Sequence, residues 1–398
     1  MVKKVVVNLF SGVLAGLLFL GGYSLGQSPY APVHLFGPRL DTPAEARASF
    51  APMWEVWALL PTGLFETTFT NDDLVEGAIN GMLAVLNDPN TRYLSPEDEA
   101  AAREGFSGEL QGIGAEVTMV DDFVTIVSPL EGSPAEAAGL RPGDILLAAD
   151  GISLVGVDIS AAVSYIRGPA GTTVTLLVQR DGEQFSVDIV RDLIRIRSVR
   201  GEMLPEGLAY VRLNRFGQNT TEELQTTLDE LLAQAPAGLI LDLRRNPGGS
   251  LETAVEVADE FLDRGVVLIE RSARRGEERY ESTDTGRAQT IPLAVLIDEG
   301  TASASELVSG ALQDRNRAVV IGVTSFGKGT VQTWQPLSNG GGVRITTARW
   351  LTPNGRWVSP DGLEPDITVT LPEAADENGE WQDTQLDAAI DYLLSSGR

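Results

Sequence analysis

The feature that most constrains the fold is an alternation of short apolar runs with helical patterns over the second half of the chain. They follow one another as Leu208–Leu213, Thr221–Leu232, Leu239–Leu243, Leu251–Leu262, Leu293–Ile297, Ala304–Leu312 and Ala318–Ile321. Continuous apolar runs of this length suit strands that are buried on both faces. Strands that alternate with helices indicate parallel β units. The sequence therefore predicts an α/β domain over residues 196–372.

A second pattern occupies residues 107–195, where short strands of alternating polarity surround a turn-rich segment. Such alternation is typical of half-buried strands. We predict a small β-rich module here, inserted between a helical region and the α/β domain. Its expected strands are Ile113–Met119, Phe123–Ile126, Val174–Gln179 and Phe185–Ile189, with one helix over Ser160–Arg167.

Helical spacing dominates residues 42–106, where apolar side chains recur three to four residues apart. We expect these stripes to pack in a core or in a dimer contact. Residues 373–398 predict an acidic linker followed by an amphipathic helix over Gln385–Leu394. The side chains of the N-terminal stripes are Trp54, Trp57, Leu60, Leu74, Ala78, Met82 and Leu86.

The chain begins with Lys3, Lys4 and a nearly continuous apolar segment over residues 5–26. Residues 1–26 therefore predict either a membrane anchor or a cleaved secretory signal, and both alternatives stay open. The basic start keeps the N-terminus inside, so we expect the rest of the chain outside the cytoplasm. A Pro-rich linker over residues 27–41 follows.

Composition limits the chemistry that this chain can perform. It has 56 Asp and Glu against 30 Lys and Arg, a formal net charge of −26, which argues against binding of nucleic acid. It has no cysteine, and its one histidine, His34, lies in the linker. A Ser-His-Asp triad, a Cys nucleophile, a disulfide and a zinc site of His and Cys are thereby excluded. We predict no metal and no cofactor, and a catalytic Ser or Thr would need another base.

Three segments could carry such chemistry, and the first is Asp298–Glu306. It lies between a predicted strand and a predicted helix, and it places Ser303 at a helix N-terminus, where negative charge is stabilised. The alternative is structural, because residues 303–306 also have the S-x-x-E pattern of a capping box.

The second segment, Gly322–Thr330, nearly matches a phosphate-binding P-loop. Gly329 stands where that motif needs a hydroxyl, and the residues that follow read as extended. A nucleotide site is therefore rejected, which leaves Lys328 between two glycines. Burial would lower the pKa of this lysine and make it a base near neutral pH, whereas a surface-loop lysine is the alternative.

The third segment is Asp242–Gly249, a glycine turn between a predicted strand and a predicted helix. Exposed N–H groups at such a turn suit an oxyanion. A tight turn without a chemical role is the alternative.

Taken together, these segments resemble the carboxyl-terminal processing proteases. The resemblance rests first on residues 301–306 (TASASE) followed by residues 326–329 (FGKG). It implies a multidomain α/β protein with a crotonase- or ClpP-like protease core, an inserted PDZ domain and an N-terminal helical region. Further matching motifs are Gly81-Met82-Leu83, Arg92-Tyr93-Leu94-Ser95-Pro96 and Gly362-Leu363-Glu364-Pro365-Asp366.

The resemblance also implies catalytic roles. Ser303 matches the family's nucleophile, Lys328 its general base, and Gln332 the polar residue that orients the lysine. Two further serines, Ser305 and Ser309, compete for the role of nucleophile.

The family's oxyanion hole is implied at the backbone of Ala304 and of one glycine in the pair Gly248 and Gly249. The sequence leaves the choice within that pair open. No metal takes part in the implied reaction.

Residues 107–195 resemble a PDZ domain through the motifs at 133–135 (SPA), 138–140 (AGL) and 143–146 (GDIL). In such domains a loop offers backbone N–H groups to the terminal carboxylate of a peptide that adds to the sheet edge. The matching loop contains Gly112, Ile113 and Gly114, and a β-bulge is the alternative. Arg167, at the end of the helix, is expected to sense the bound peptide.

The resemblance implies a serine endopeptidase that captures the C-terminal tails of extracytoplasmic proteins and cleaves them through an acyl-enzyme. Its expected partners are polypeptides with accessible tails, the membrane through residues 5–26, a second copy of the chain and an unidentified activator. Two alternatives stay open. One is another Ser-Lys peptidase of the signal peptide peptidase type, and the other is a membrane-tethered, non-catalytic PDZ scaffold.

Overall fold

The computed structural model describes residues 48–63, 68–130, 132–195, 197–372 and 382–396. The predicted leader (1–26), the Pro-rich linker (27–41) and residues 373–381 of the acidic linker lie outside this part of the chain. The chain divides into two compact units, Met1–Asp73 and Leu74–Arg398. Among the described residues, no helix is both long and apolar enough to cross a bilayer.

Helix α1, Ala51–Gly63, belongs to the first unit and leaves its apolar side chains in solvent. Trp54 is 61% exposed and Trp57 is 45% exposed. Helix α2, Asn71–Ala84, also has no buried residue. The expectation that these stripes pack in a core is therefore wrong for the described chain, and a dimer contact stays a prediction.

A six-stranded sheet forms the centre of the second unit. The two middle strands are buried along their whole length, which explains why they read as continuous apolar runs. Neighbouring strands are parallel except at one edge, where the first strand is antiparallel. In order across the sheet, the strands are β10 (Val199–Met203), β11 (Ala209–Leu213), β12 (Leu239–Asp242), β15 (Leu293–Ile297), β16 (Val319–Gly322) and β19 (Ile367–Thr368).

Helices cover both faces of this sheet. On one face, Leu224, Val257 and Leu307 pack with alternate residues of the strands, and on the other face Ala389 and Leu393 do so. The predicted α/β alternation is confirmed, although the second helix ends before the predicted Leu262. The helices are α6 (Thr220–Leu232), α7 (Leu251–Asp259) and α8 (Ala304–Asp314) on the first face and α9 (Thr384–Ser396) on the second.

A second sheet has five antiparallel strands, and the sequence does not predict it. The sequence indicates only that residues 331–335 are extended. The first strand of this sheet precedes the β-rich module in the chain but pairs with the longest strand, which follows the module. The module is therefore inserted between two strands of one sheet, rather than simply lying between the helical region and the α/β domain. The strands are β1 (Arg92–Leu94), β13 (Gly265–Ser272), β14 (Gly276–Ser282), β17 (Thr330–Pro336) and β18 (Gly342–Leu351).

Helix α3, Pro96–Ser107, leads from β1 into the module. Ser95 is its N-cap, because the Oγ of Ser95 accepts a hydrogen bond from the backbone N–H of Asp98 at 3.1 Å. Such a cap satisfies an N–H group that the first turn of a helix leaves without a partner.

The inserted module is a β-sheet with its own apolar core. Its sheet order is β3-β4-β5-β7-β8, so the strand after the predicted carboxylate-binding loop is an edge strand. An edge strand presents unpaired backbone groups to which another chain can add. The elements are β2 (Glu109–Gly112), β3 (Ala115–Val120), β4 (Phe123–Pro129), α4 (Pro134–Ala137), β5 (Ile145–Ala149), β6 (Ile152–Ser153), α5 (Ile159–Ile166), β7 (Thr173–Arg180), β8 (Glu183–Val190) and β9 (Asp192–Arg195).

Candidate active site

Ser303 lies at the junction of β15 and α8, where the chain leaves the parallel sheet. Its φ of +58° is uncommon for a residue with a side chain. A residue held in this region of backbone space needs support from its surroundings. Ser303 is partly exposed, whereas Ser305 and Ser309 are fully buried.

The two competing serines have structural hydrogen bonds. The Oγ of Ser305 donates to the carbonyl of Asn246 at 3.0 Å, and the Oγ of Ser309 donates to the carbonyl of Ser305 at 2.8 Å. Both hydroxyls are thus buried and already engaged, which favours Ser303 as the nucleophile.

A buried carboxylate joins the Ser303 turn to the loop that carries Lys328. The Oε2 of Glu306 accepts the backbone N–H of Ser303 at 2.6 Å and that of Lys328 at 2.9 Å. Its Oε1 accepts the Oγ of Ser325 and the N–H of Gly327, each at 2.6 Å. The carboxylate therefore holds the two backbone segments side by side. The capping-box reading was correct for the Glu306 carboxylate, but the sequence did not reveal its bonds to the lysine loop.

Lys328 is half-buried and is the only lysine beyond position 4 of the chain. Its pKa is lowered, mainly by burial and further by the positive charges of Arg344 and Arg92, while Glu306 acts in the opposite direction. Burial disfavours the ammonium form because it removes water from the charge. The lysine is thus shifted toward the neutral form that a general base requires.

The Glu306 carboxylate brings the backbone of Ser303 and of Lys328 together, but the side chains of the predicted catalytic residues are not hydrogen-bonded to one another. The Nζ of Lys328 has no hydrogen-bond partner in the described chain, Ser303 included. The Nε2 of Gln332 donates to the Oγ1 of Thr330 at 2.8 Å, and its Oε1 accepts from Arg344 at 3.5 Å. Catalytic hydrogen bonds often form only when substrate is present.

The glycine turn after β12 lies directly against Ser303. A Cβ placed on Gly248 would lie 2.9 Å from the Cβ of Ser303 and 2.8 Å from the backbone nitrogen of Ala304. Only glycine permits this approach, and its φ of +97° also favours glycine. The turn and the start of α8 therefore form one continuous surface.

Asn246 is a buried residue that sequence reasoning missed, and it organises this turn. Its Oδ1 accepts the N–H of Gly248 at 2.9 Å, and its Nδ2 donates to the carbonyl of Leu213 at 2.7 Å. Its own carbonyl accepts the N–H of Ala302 at 3.0 Å. Its place in the motif at 242–249 was the only sequence signal that could have indicated this role.

These bonds distinguish the two glycines of the turn. The N–H of Gly248 is occupied, whereas those of Gly249 and Ala304 have no acceptor in the part of the chain that the structure describes. Gly249 is also exposed, while Gly248 is buried. Unoccupied N–H groups beside a nucleophile can stabilise the negative oxygen of a tetrahedral intermediate.

The predicted peptide-binding residues lie together in the inserted module. Gly112 ends β2, and Ile113 and Gly114 connect it to the edge strand β3, with no acceptor for their N–H groups in the described chain. A Cβ on Gly112 would lie 3.7 Å from the Cγ of Arg167. The guanidinium of Arg167 donates to Glu104 of α3 at 3.2 Å. The side chain of Arg167 is thus positioned next to the loop.

Two family profiles match the chain, one in the domain that contains the parallel sheet and one in the inserted module. Peptidase family S41 matches residues 207–369, and the PDZ domain family matches residues 125–180. Among solved structures, a photosystem II D1 C-terminal processing protease is 33% identical with a TM-score of 0.50, over 85% of this chain and 90% of that one. A putative S41 protease from Bacteroides fragilis shares the fold at 17% identity and a TM-score of 0.55, over 84% of this chain and 93% of that one. Fold and site therefore define an S41 peptidase with a PDZ domain.

Curated relatives narrow the class further. Carboxy-terminal processing protease CtpA of Bacillus subtilis is 38% identical over 77% of this chain and 66% of its own length. A carboxy-terminal-processing protease of Bartonella bacilliformis is 40% identical over 75% of this chain and 70% of its own length. This chain belongs to the carboxy-terminal processing protease family. It spans about two thirds of the length of these relatives.

Proposed function

We propose that this chain is a serine endopeptidase that recognises C-terminal tails of polypeptides through its PDZ domain and cleaves them with Ser303 and Lys328. The observation that carries the proposal is the Glu306 carboxylate, which binds the backbone of both residues. A serine beside a lysine of lowered pKa provides a nucleophile and a base without histidine.

In the proposed reaction, neutral Lys328 takes the proton from Ser303 as the Oγ attacks the peptide carbonyl. The N–H groups of Gly249 and Ala304 bind the resulting oxyanion, and we choose Gly249 over Gly248 because Asn246 occupies the N–H of Gly248. Lys328 then gives its proton to the leaving amine, and the carbonyl carbon stays bonded to Ser303 as an ester.

The second half of the reaction hydrolyses that ester. Lys328 removes a proton from water, which attacks the acyl carbon, and the Ser303 oxygen recovers its proton as the carboxylate product leaves. Gln332 lies on strand β17, which begins two residues after Lys328. We propose that Gln332 orients the lysine once substrate is bound. Because the base must be neutral, activity is expected to rise with pH through the lowered pKa of Lys328.

We further propose that the tail adds to the edge strand β3 and that its terminal carboxylate binds the N–H groups of Ile113 and Gly114 beside Gly112. Arg167 next to this loop would respond to the bound peptide. The apolar segment at residues 5–26 supports a location outside the cytoplasm, either anchored in the membrane or secreted. The exposed aromatic side chains of α1 support assembly with a second copy.

The replacement Ser303→Ala tests the proposal. Loss of the nucleophile costs about 10⁶-fold in serine peptidases where it has been measured, so cleavage of a tailed test protein should become undetectable. Intact-mass spectrometry of the unmodified enzyme during turnover should show an acyl adduct on Ser303. The matched control is Ser338→Ala, an exposed serine in the turn between β17 and β18, which should retain activity.

Full activity of the Ser303→Ala variant would overturn the assignment. A wild-type chain that binds the tail but never cleaves it would support the non-catalytic scaffold. In that case the tail affinity would be the same with and without the serine hydroxyl.

A further inference from the structure

Two arginines lie opposite each other beside the proposed base. Arg92 of β1 is the register partner of Arg344 of β18, and Trp334 of β17 pairs with Arg344 on its other side. Directly opposed residues share one face of a sheet, so these three side chains form a row. The guanidinium of Arg344 lies 5.7 Å from the ring centroid of Trp334, which holds it in place by a cation–π contact.

The row carries positive charge that the protein does not neutralise. Neither Arg92 nor Arg344 has a carboxylate within ion-pair distance among the described residues, although the chain has 56 acidic side chains. Both charges also act on Lys328, whose pKa they help to lower. Like charges directly opposite each other destabilise a strand pair, so this arrangement costs free energy in the absence of an anion.

The nearby carboxylates are committed to other groups. Glu99 is buried and accepts from the Nε1 of Trp334 and, at 2.7 Å, from Arg103. Asp88 accepts the hydroxyl of Thr91 at 2.6 Å and the N–H of Asn90 at 3.0 Å. An anion for the two arginines therefore has to come from outside this cluster.

Space for such an anion exists next to Arg92. A cavity of about 440 Å³ lies between the end of α2 and β1, and Arg92 and Thr91 line it together with Asn80, Asn87 and Asp88, whose carboxylate accepts from Thr91 and Asn90. Arg92 is exposed there, so an incoming polypeptide can reach its guanidinium.

We propose that Arg92 and Arg344 bind a carboxylate of the substrate and so make the protease select polypeptides with negative charge close to the cleaved bond. The inference rests on the proposed peptidase function. Guanidinium groups match a carboxylate with two parallel hydrogen bonds, and an anion between two of them removes their mutual repulsion. The carboxylate comes from an acidic side chain of the substrate, because the tail's own C-terminal carboxylate is assigned to the loop at Ile113 and Gly114.

A series of otherwise identical fluorogenic peptides tests the proposal. All peptides have the same C-terminus, and each pair has Glu or Gln at one of several successive positions around the cleaved bond. Hydrogen bonds to charged groups predict that kcat/KM of the wild type favours the Glu peptide of one pair by about tenfold over its Gln partner. The pair that shows this preference locates the subsite relative to the cleaved bond.

In the variant Arg92→Gln, the ratio between the two peptides should fall to about one, and Arg92→Lys should keep part of it. The ratio is the readout because the loss of a cation also changes the basicity of Lys328, and that effect cancels between peptides. Arg274→Gln, which removes an exposed arginine between β13 and β14, is the matched control and should keep the full ratio.

Equal cleavage of all peptides by the wild type, or an unchanged ratio in Arg92→Gln, would overturn the subsite and leave the peptidase proposal intact. If no peptide is cleaved and no acyl adduct forms, the peptidase proposal itself fails. Calorimetric titration of the Ser303→Ala chain with the same peptides then still tests the subsite, because the carboxylate-bearing member should bind about tenfold more tightly.

Discussion

The PDZ domain and the protease core each contain a glycine turn with backbone N–H groups that have no acceptor in the described chain, and the two turns are supported differently. These groups are the N–H of Ile113 and of Gly114 in the first turn and the N–H of Gly249 in the second. In the PDZ domain, the turn at Gly112–Gly114 lies between a short strand and an open sheet edge, next to the exposed ion pair of Arg167 and Glu104. In the core, the turn at Gly248 and Gly249 rests on the buried side chain of Asn246.

This difference corresponds to what each turn is proposed to bind. A peptide tail arrives as a flexible chain, and strand addition requires an open edge more than an exactly fixed loop. An oxyanion exists only during the reaction, so its donors must already be in place when it forms. The core therefore uses buried, fully bonded polar groups where the PDZ domain uses surface contacts.

Among the variants that test this difference between the two turns, Glu306→Gln is expected to lose the most activity. A glutamine amide cannot accept from all four donors that the carboxylate binds, so the Ser303 turn and the Lys328 loop should shift relative to each other. A misplacement of about 1 Å can cost about 100-fold in rate, and kcat/KM should fall by about that factor for peptides with and without a PDZ-binding tail.

The pH profile of the same variant supplies a second test. Because Glu306 raises the pKa of Lys328, its removal should move the rise in activity to lower pH. Glu364→Gln, at an exposed position, is the control. A loss confined to tailed peptides, or an activity within threefold of the wild type, would contradict this account of the core.

A smaller effect, confined to tailed substrates, is expected for Gly114→Ala. The new Cβ would lie 2.5 Å from the Cβ of Ser133, and the φ of +73° disfavours alanine. Strain of about 1–3 kcal/mol should weaken the loop and raise KM for tailed peptides by about tenfold, with little change in kcat.

Steady-state kinetics on matched peptides with and without the tail would check this expectation. Gly139→Ala is the control, because that glycine has a φ of +76° but nothing within 4 Å of a new Cβ. If Gly114→Ala lowers kcat for untailed peptides, the turn in the PDZ domain is coupled to the core more tightly than the comparison allows.

The smallest effect concerns the acid stability of the PDZ domain. Burial of Asp144 opposes its ionisation, but hydrogen bonds from Arg180 at 2.6 and 2.7 Å outweigh burial and lower the pKa of Asp144. The ion pair therefore stabilises the fold above the usual pKa of an aspartate, and this contribution is lost as the pH falls through the lowered value.

In Asp144→Asn, hydrogen exchange in β5 and β7 should depend less on pH below about 4 than in the wild type. Glu183→Gln, an exposed change in the same domain, should leave the wild-type dependence unaltered. An identical acid dependence in Asp144→Asn and the wild type would show that this pair does not stabilise the PDZ domain.

The parallel sheet could be predicted because local patterns specify it. Strands such as β12 and β15 are buried on both faces and read as unbroken apolar runs between helical patterns. The second sheet could not be predicted in the same way, because β1 is only three residues long and its partner β18 lies near the other end of the chain. No local periodicity records a pairing of that kind.

In the candidate site too, some features could be predicted from local sequence and others could not. Motif matching selects Ser303 and Lys328 as candidates, because each lies in a distinctive short segment. The roles of Asn246 and Glu306 depend on donors from distant loops, and those of Arg92 and Arg344 depend on a strand pairing. Asn246, Glu306 and Arg92 lie in motifs that the sequence shows, but the motifs do not record which groups their side chains bind, so only the fold reveals these contacts.

The half-buried Lys328 has a consequence for chemical labelling of this protein. Every lysine other than Lys328 lies within the first four residues, so residues 5–398 offer a single ε-amine. An uncharged amine condenses with an aldehyde to an imine and releases water, whereas an ammonium ion does not. The lowered pKa of Lys328 thus makes a carbonyl reagent a selective probe for the proposed base.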